Sequence, residues 1–298
     1  MAILTTSPAT WLAGSYSEPF YTFFALRGLI FLSRRGYFLA SVAFAFATLF
    51  RANGILLTGF IIWSLIVAPF LRTREVSYLH IPFFTIGSIQ RPCPQVKLLP
   101  ILYASLLAGV CVSPFVLHQL RGYWLFCVSA KHEAPRKWCG ETIPAIYPFV
   151  QAHYWNVGIF KYWRVDQLPN FLLALPPLML LVSSAATTIQ AALPYVVHRA
   201  TSTSSFGKRT ANVAHETSSR DIEMFPHAIH ASVMAFILIF ASHTQIALRV
   251  IPTLPYMHWS VAALFNHKPG PVKKWWMYWC VIWWAVNCVL WGAFLPPA

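Results

Sequence analysis

The chain alternates between long apolar runs and shorter polar segments, and several of the runs are long enough to cross a membrane. A spanning α-helix needs roughly 20 mainly apolar residues. Four runs satisfy this requirement, and a fifth does so apart from two histidines and a glutamine within it. The five runs are Ile55–Leu71, Leu98–Leu120, Leu168–Val197, Trp275–Leu295 and Ala228–Leu248.

Three further runs carry a weaker signal. Pro19–Leu32 contains an arginine, Tyr37–Phe50 is short, and Ile251–Phe265 is short and contains two prolines. Re-entrant segments are tolerated only where protein or a cavity surrounds the backbone. The pattern therefore predicts an all-α polytopic membrane protein with about eight transmembrane or re-entrant helices, in a single domain that covers residues 1–298.

The composition agrees with this prediction and excludes another class of protein. Of 298 residues, 57% are hydrophobic and only 10% are charged, whereas about 25% of the residues in soluble domains are charged. The net charge of +14 reflects a shortage of acids, 8 against 22 basic residues. Nucleic-acid-binding surfaces cluster their basic residues, and these are dispersed, so no nucleic-acid partner is expected.

The basic residues of the short connections predict an orientation, because cytoplasmic loops carry an excess of Lys and Arg. With Arg34 and Arg35 on the cytoplasmic side, the predicted cytoplasmic loops are 72–97 and 199–226. The segments predicted on the opposite face are 1–18, 51–53, the long loop 121–167 and 249–259. Cys127 and Cys139 share that long loop, where an oxidising compartment could pair them, but their spacing alone leaves paired and free thiols both open.

Two polar groups at span borders on the non-cytoplasmic face allow two interpretations each. Glu18 follows two serines, and the favoured interpretation is a helix N-terminus with a serine cap; the other is a carboxylate beside a ligand pocket. Arg51 and Asn53 precede a glycine. This arginine either extends to the interface beside an Asn-Gly turn or grips a lipid phosphate together with Asn53.

Two later groups are equally suggestive. Segment 153–170 is dense in aromatics and amides, which suits an interfacial belt but favours, by its length, a surface that binds a sugar. Gln245 and Arg249 are four residues apart and share a helix face. Arg249 is therefore either a cation for a phosphate or a structural arginine at a helix end, and it is followed by Pro252, Pro255, His258 and Trp259.

No soluble-enzyme motif is present. The chain lacks a GxGxxG sequence, a phosphate-binding P-loop, an HExxH sequence, a CxxC pair and any Asn-x-Ser/Thr acceptor for glycosylation. Neither a metal nor a cofactor is expected from these patterns.

Segment 154–176 carries the strongest resemblance to a known family. It reads YWNVG at 154–158, KYW at 161–163 and QLPNFLLALP at 167–176, and it resembles the hallmark of the PIG-V family of GPI mannosyltransferases. Supporting matches are SPA at 7–9 with YSE at 16–18, RANG at 51–54, where the family typically reads Arg-Ser-Asn-Gly, and the segment 245–259. The resemblance is spread over nearly the whole chain.

The resemblance implies a multi-pass enzyme of the endoplasmic reticulum membrane with a GT-C fold. Such an enzyme takes mannose from dolichyl-phosphate mannose at the lumenal face, without a nucleotide sugar or other cofactor. The family adds the second mannose, in α-1,6 linkage, to the glycosylphosphatidylinositol (GPI) precursor. The expected partners are the lipid-linked donor, the glycolipid acceptor and a small accessory membrane subunit.

The resemblance also implies roles for particular residues. Arg249, Arg51 and Lys161 would neutralise the departing phosphate. The sugar or acceptor pocket would be lined by Tyr154, Trp155, Asn156, Gln167 and Asn170. The complete predicted binding set is Arg51, Asn53, Tyr154, Trp155, Asn156, Lys161, Gln167, Asn170, Gln245, Arg249, His258 and Trp259.

The catalytic base is not assigned by these matches. Family members carry an acidic lumenal loop after an earlier membrane segment, and no such motif precedes Ser7. We therefore expect an N-terminally truncated chain whose base lies outside it, with Glu18 and Asp166 the only lumenal acids close to matched motifs. Two other classes stay open: a truncated or degenerate homologue without activity, and a transporter, although the inverted repeat typical of transporters is not visible.

Overall fold

The computed structural model describes residues 16–73, 80–81, 84–85, 98–129, 136–201, 219–243, 245–266 and 270–293. Within these ranges the chain is almost entirely helical. The exception is a two-residue antiparallel pair between strands β1 (His80–Ile81) and β2 (Phe84–Thr85). Apart from this pair, the predicted all-α architecture of a membrane protein is confirmed.

The N-terminal helices form one group. Helices α1 (Glu18–Ser33) and α2 (Tyr37–Phe50) make a hairpin. Helix α3 is composite, and its successive parts are a 3-10 segment Ala52–Leu57, an α-helical turn Thr58–Ile62, a π-helical turn Trp63–Val67 and an α-helical end Ala68–Thr73. Helix α4 (Leu98–Tyr123) continues into a π-helical turn, Trp124–Val128.

The C-terminal helices form a second group. A short helix, α5 (Ile146–His153), lies in the predicted long loop. The helices that follow are α6 (Leu168–Thr201), α7 (Ser219–Phe240), α8 (Gln245–Val250), α9 (Pro255–Asn266) and α10 (Pro271–Gly292). The 3-10 turns of this half are Lys137–Gly140, Val165–Gln167 and Ile251–Thr253.

Four of the described helices are long and apolar enough to cross a membrane: Ala52–Leu71, Leu98–Val128, Val165–Val197 and Ile222–Phe240. They correspond to four of the five strong predicted runs. The fifth, Trp275–Leu295, is helical up to Gly292 as α10 but is not among these spans. The short predicted run Tyr37–Phe50 is confirmed as helix α2.

The structure corrects several predicted boundaries. The run Ala228–Leu248 is not one helix, because α7 ends at Phe240 and α8 begins only at Gln245. The run Ile251–Phe265 starts as a 3-10 turn, and Pro255 begins α9. The predicted loop 199–226 is shorter, since α6 and α7 continue past their apolar runs into polar residues.

Each helix group has its own core, and the two cores meet at a few residues. One core lies among α1, α2, α3 and α4, and the other among α6 to α10. Phe60 of α3 contacts the rings of His227 and His230 on α7, at centroid distances of 4.6 Å and 5.2 Å. A further connection between the groups is ionic, and it forms the candidate site.

Candidate functional site

Three charged side chains from separate segments meet where the two helix groups join, and we call Glu18, Arg51 and Arg249 the charged cluster. The Glu18 side chain is completely buried, and its Oε1 atom accepts hydrogen bonds from both guanidinium groups. For Arg249, the Nε–Oε1 distance is 3.0 Å and the Nη2–Oε1 distance is 2.7 Å. Because Glu18 and Arg249 are 231 residues apart in the chain, only the tertiary fold brings them together.

Local structure places each member at the same end of its helix group. Glu18 is the first residue of α1 and precedes Pro19, which suits the first turn of a helix. Arg51 has extended backbone between the end of α2 and the start of α3. Arg249 lies in the six-residue helix α8, which ends at Val250 before a proline-containing 3-10 turn.

The favoured interpretation of Glu18 from the sequence was therefore incomplete. Glu18 does begin a helix, but Ser17 at the N-cap position makes no side-chain capping hydrogen bond. A carboxylate that merely favours the helix dipole would remain in solvent. The Glu18 carboxylate is instead buried between two arginines, and the alternative of a carboxylate beside a ligand pocket stays a prediction.

The two arginines keep hydrogen-bonding capacity for a further anion. Each guanidinium has five N–H groups, and Glu18 occupies one or two of them. The side chains of Arg51 and Arg249 are 20% and 25% exposed. The guanidinium carbon of Arg249 also lies 4.1 Å from the centre of the Tyr16 ring, a cation–π contact that fixes its plane. Two positive charges and one negative charge leave the cluster with a net charge of plus one.

Several polar atoms around the cluster are buried without a hydrogen-bond partner among the described residues. They are Glu18 Oε2, the Tyr21 hydroxyl, both side-chain polar atoms of Asn53, and Gln119 Nε2. An unsatisfied buried polar group costs about 1–3 kcal/mol, and such groups are rare in folded proteins. Tyr21 and Asn53 lie three and two residues after Glu18 and Arg51 in the chain, so their unpaired atoms are suited to bind a polar ligand or water beside the cluster.

Helix α5 packs against the end of α4. The backbone N–H of Tyr147 donates to Gln119 Oε1 at 2.9 Å, and the Tyr147 ring packs edge-on against Phe115 of α4. Burial raises the pKa of Tyr147, and the positive charge of Arg51 acts in the opposite direction. Helix α5 thus packs against the end of α4 that carries Gln119.

A disulfide bond between Cys127 and Cys139 ties the end of α4 to the turn that precedes α5. The structure thus decides between the two alternatives that the sequence left open. The loop closed by the disulfide also holds Trp138, whose side chain is buried and packs near Phe149 of α5. The covalent link therefore holds the segment that carries Tyr147.

The aromatic part of the predicted sugar-binding segment covers the end of helix α7. The Phe160 N–H donates to the Phe240 carbonyl and the Trp163 indole donates to the Ile239 carbonyl, both at 2.8 Å. The Trp163 and Phe240 rings stack at 5.7 Å. These bonds satisfy carbonyls that the helix end leaves without an intrahelical donor, and they stabilise the end of α7 at this position.

The amide part of the same segment forms a hydrogen-bonded network. The Asn170 amide donates to the Tyr162 hydroxyl at 2.9 Å and to Gln167 Oε1 at 2.7 Å. Gln167 donates in turn to Asp166, which is exposed and paired with Arg164. Asp166 thus lies in a surface ion pair, in a different setting from the buried Glu18.

The remaining predicted binding residues of this segment do not belong to the amide network of Gln167 and Asn170 described above. Tyr154 and Trp155 are 67% and 62% exposed, which is typical of an interfacial belt. Asn156 has a φ of 49°, a left-handed conformation that asparagine tolerates in turns. Lys161 is exposed, and its aliphatic stem passes over Gly158.

The last predicted residues belong to the segment around α8 and α9. His258 Nε2 lies 2.9 Å from the Pro252 carbonyl, and the Trp259 ring contacts His227. These contacts fasten the proline-containing break between the two helices. Gln245 begins α8 rather than lying in the middle of a continuous helix, and its side chain lies outside the described residues.

Sequence reasoning missed three residues of the site, namely Tyr21, Gln119 and Tyr147. Tyr21 lies three residues after Glu18 and hence on the same helix face. Gln119 is an isolated amide near the end of an apolar run. Both residues can be picked out in the sequence, but neither can be assigned to the site without knowing where the fold places Arg51.

Comparison with known proteins assigns the chain to a family. The family model described as Mannosyltransferase (PIG-V) matches residues 1–298. The chain belongs to the PIG-V mannosyltransferase family. No solved structure matches it.

Relatives within the PIG-V family are similar over most of this chain. The GPI mannosyltransferase 2 of Cryptococcus neoformans (strain B-3501A) is 33% identical, over 98% of this chain and 66% of its own length. The Schizosaccharomyces pombe protein of the same name is 27% identical, over 97% and 53%. The GPI alpha-1,6-mannosyltransferase 2 of Cricetulus griseus is 27% identical, over 88% and 54%. The chain thus spans about half to two thirds of the length of these relatives.

Proposed function

We propose that the protein transfers mannose, in α-1,6 linkage, from dolichyl-phosphate mannose to the GPI precursor at the lumenal face of the endoplasmic reticulum membrane. Membership of the PIG-V family and the names of the relatives support the reaction class. The observation that carries the proposal is the charged cluster, which presents two guanidinium groups around one buried carboxylate. The accessory membrane subunit expected from the resemblance stays a prediction.

The charged cluster suits the chemistry of the leaving group. When the bond between mannose C1 and the phosphate oxygen breaks, the electron pair stays on dolichyl phosphate and its negative charge grows. Guanidinium groups held in place before the reaction stabilise such charge without reorganisation, and they bind phosphate through paired N–H donors. Arg51 and Arg249 retain such donors, so we assign both to the phosphate.

The acceptor side of the reaction requires a second contribution. A new bond forms between mannose C1 and an acceptor hydroxyl oxygen, and a general base takes the hydroxyl proton. We do not assign this base to Glu18, because both arginines hold its carboxylate, nor to Asp166, which is exposed and paired with Arg164. The Asn53 amide, Gln119 Nε2 and the Tyr21 hydroxyl have no hydrogen-bond partner among the described residues, and they are suited to bind sugar hydroxyls.

The lumenal orientation is supported by the disulfide. Disulfides persist in oxidising compartments such as the lumen of the endoplasmic reticulum. The Cys127–Cys139 bond lies in the loop that the basic residues already predict on the non-cytoplasmic side. The same loop carries α5, which packs against the end of α4.

The test is mannose transfer by the complete protein that the transcript encodes, in cells that lack their own second GPI mannosyltransferase. Membranes of these cells receive radiolabelled dolichyl-phosphate mannose, and the two-mannose GPI intermediate is measured. Arg249→Ala should lower transfer at least about a hundredfold. Arg249→Lys should retain part of it, because a point charge remains without the paired donors.

The matched control is Arg34→Ala, which removes an exposed arginine at the opposite end of α1 and should leave transfer unchanged. Two outcomes contradict the proposal. No mannose transfer by the wild-type protein would refute the activity, and wild-type transfer by Arg249→Ala would refute the role of the cluster.

A further inference from the structure

Glu18 lowers the net charge of the charged cluster, and the proposed reaction does not by itself require this effect. Two arginines alone would give a charge of plus two, and Glu18 reduces it to plus one. Within the described residues no fourth charged side chain forms an ion pair with the cluster. The charge that the site offers to a bound anion is therefore set by one buried carboxylate.

We propose that Glu18 makes the site selective for singly charged phosphodiesters over doubly charged phosphate monoesters. A phosphodiester carries one negative charge and neutralises the cluster. A monoester above its second pKa, about 6, carries two and leaves an uncompensated charge. Uncompensated charge in a buried site is costly, because desolvation outweighs the attraction.

The geometry supports this selectivity. Glu18 is fully buried, so water screens its charge poorly. Its Oε1 atom is shared between the two guanidiniums, whereas Oε2 is buried and has no partner among the described residues. An anion on the outer N–H groups of Arg51 and Arg249 would lie close to this carboxylate, and a second negative charge on it would be repelled.

The inference rests on the proposed function for its biological meaning, since the donor is a phosphodiester and the leaving lipid is a monoester. Selectivity of this kind favours donor binding and promotes release of dolichyl phosphate. Two lipids offer the same chemistry, the polyprenyl donor and phosphatidylinositol, and the experiment separates them.

The experiment measures binding and needs no mannose transfer. The complete protein in nanodiscs of phosphatidylcholine is titrated at pH 8 with farnesyl phosphate, a monoester, and with farnesyl methyl phosphate, a diester. The wild-type protein should bind the diester more tightly. Glu18→Gln should shift the ratio of the two dissociation constants toward the monoester by about tenfold or more, because one unit charge is removed at short range.

Three comparisons make the result decisive. Asp166→Asn makes the same change of net charge at an exposed pair and should leave the ratio unchanged. Glu18→Asp keeps the charge and should keep the preference for the diester. Nanodiscs with phosphatidylinositol should not compete with the farnesyl diester if the site takes the polyprenyl lipid, and competition would overturn that assignment.

A wild-type protein that binds the monoester more tightly would overturn the inference without any variant. An equal change of the ratio in Glu18→Gln and Asp166→Asn would overturn it as well, because the effect would then come from net charge alone. Failure of the proposed function would appear separately, as absent mannose transfer despite selective binding.

Discussion

At the scale of single residues, the energetics of the charged cluster depend on a carboxylate that has lost its water. A buried charge is tolerated only when partners compensate it. Glu18 meets this condition through two arginines that come from opposite halves of the chain. Removing either arginine is therefore expected to lower the stability of the fold as well as ligand binding.

Arg249→Ala should lower the free energy of unfolding by about 2 kcal/mol, because Glu18 is left with a single partner. Adding Glu18→Gln to this variant should recover part of the lost free energy of unfolding, since burying a neutral amide is less unfavourable than burying a carboxylate. Thermal unfolding of the purified protein in detergent measures both. Equal stability of the single and double variants would show that Glu18 does not depend on Arg249, and Arg34→Ala serves as the exposed control.

Individual residues of the site also differ in how far the sequence alone could identify them. Arg51 and Arg249 were identifiable because a charge beside an apolar run is conspicuous. Glu18 was noticed, but its partner was not predictable from residue types, since the contact with Arg249 spans most of the chain. Conversely, the aromatics and amides of segment 153–170 suit a sugar site by composition, and only the structure shows Phe160 and Trp163 bound to the end of α7.

At the scale of the helices, the start of α3 is held in place by a close backbone contact. A Cβ atom on Gly54 would lie 2.6 Å from the backbone N and Cα atoms of Thr48 in α2. The sequence suggested an Asn-Gly turn here, whereas the glycine allows two chain segments to touch. Because Gly54 is three residues after Arg51, this contact also sets the position of the arginine.

Gly54→Ala should therefore lower the free energy of unfolding by about 2 kcal/mol through overpacking and should weaken mannose transfer. Gly59→Ala is the matched control in the same helix, since a Cβ there meets nothing within 4 Å and alanine favours helix by about 1 kcal/mol. Thermal unfolding of both variants gives the comparison. Equal destabilisation would contradict the close contact.

The disulfide determines how firmly α5 is held against the end of α4. Cys127→Ser should lower the free energy of unfolding by about 3 kcal/mol, the loop-closure value for a bridge of this separation. It should also speed proteolysis in the segment around Trp138, which is otherwise buried. Mass spectrometry of the digest identifies the new cleavage sites. Unchanged cleavage would indicate that packing alone holds the segment.

At the scale of the whole molecule, the predicted orientation becomes testable because the chain contains no Asn-x-Ser/Thr sequence. The paired substitutions Glu141→Asn and Ile143→Thr create one in an exposed part of loop 121–167. The substitution Ala214→Thr completes another, beginning at Asn212, in the predicted cytoplasmic loop. Only the first variant should be glycosylated, as a shift that endoglycosidase removes. Glycosylation of the second would reverse the orientation.

The helices were largely predictable at this scale, because the length of an apolar run decides whether it can span a membrane. The positions at which helices break within an apolar run were not predictable. Run Ala228–Leu248 looked continuous, yet its helix ends at Phe240, where neighbouring groups satisfy the helix carbonyls. The convergence of Glu18, Arg51 and Arg249 at one place agrees with the predicted common face of their segments, and the side of the membrane stays a prediction.

The sequence distance between Glu18 and Arg249 also imposes an order on biosynthesis. The two residues are separated by 231 positions, so at about 5–20 residues per second roughly 10 to 50 seconds of translation pass between them. During this interval Arg51 is the partner from the cluster that Glu18 already has. A chain interrupted before residue 249 has one of the two arginine partners of Glu18, so its cluster is neutral, whereas the cluster of the finished chain carries a net positive charge.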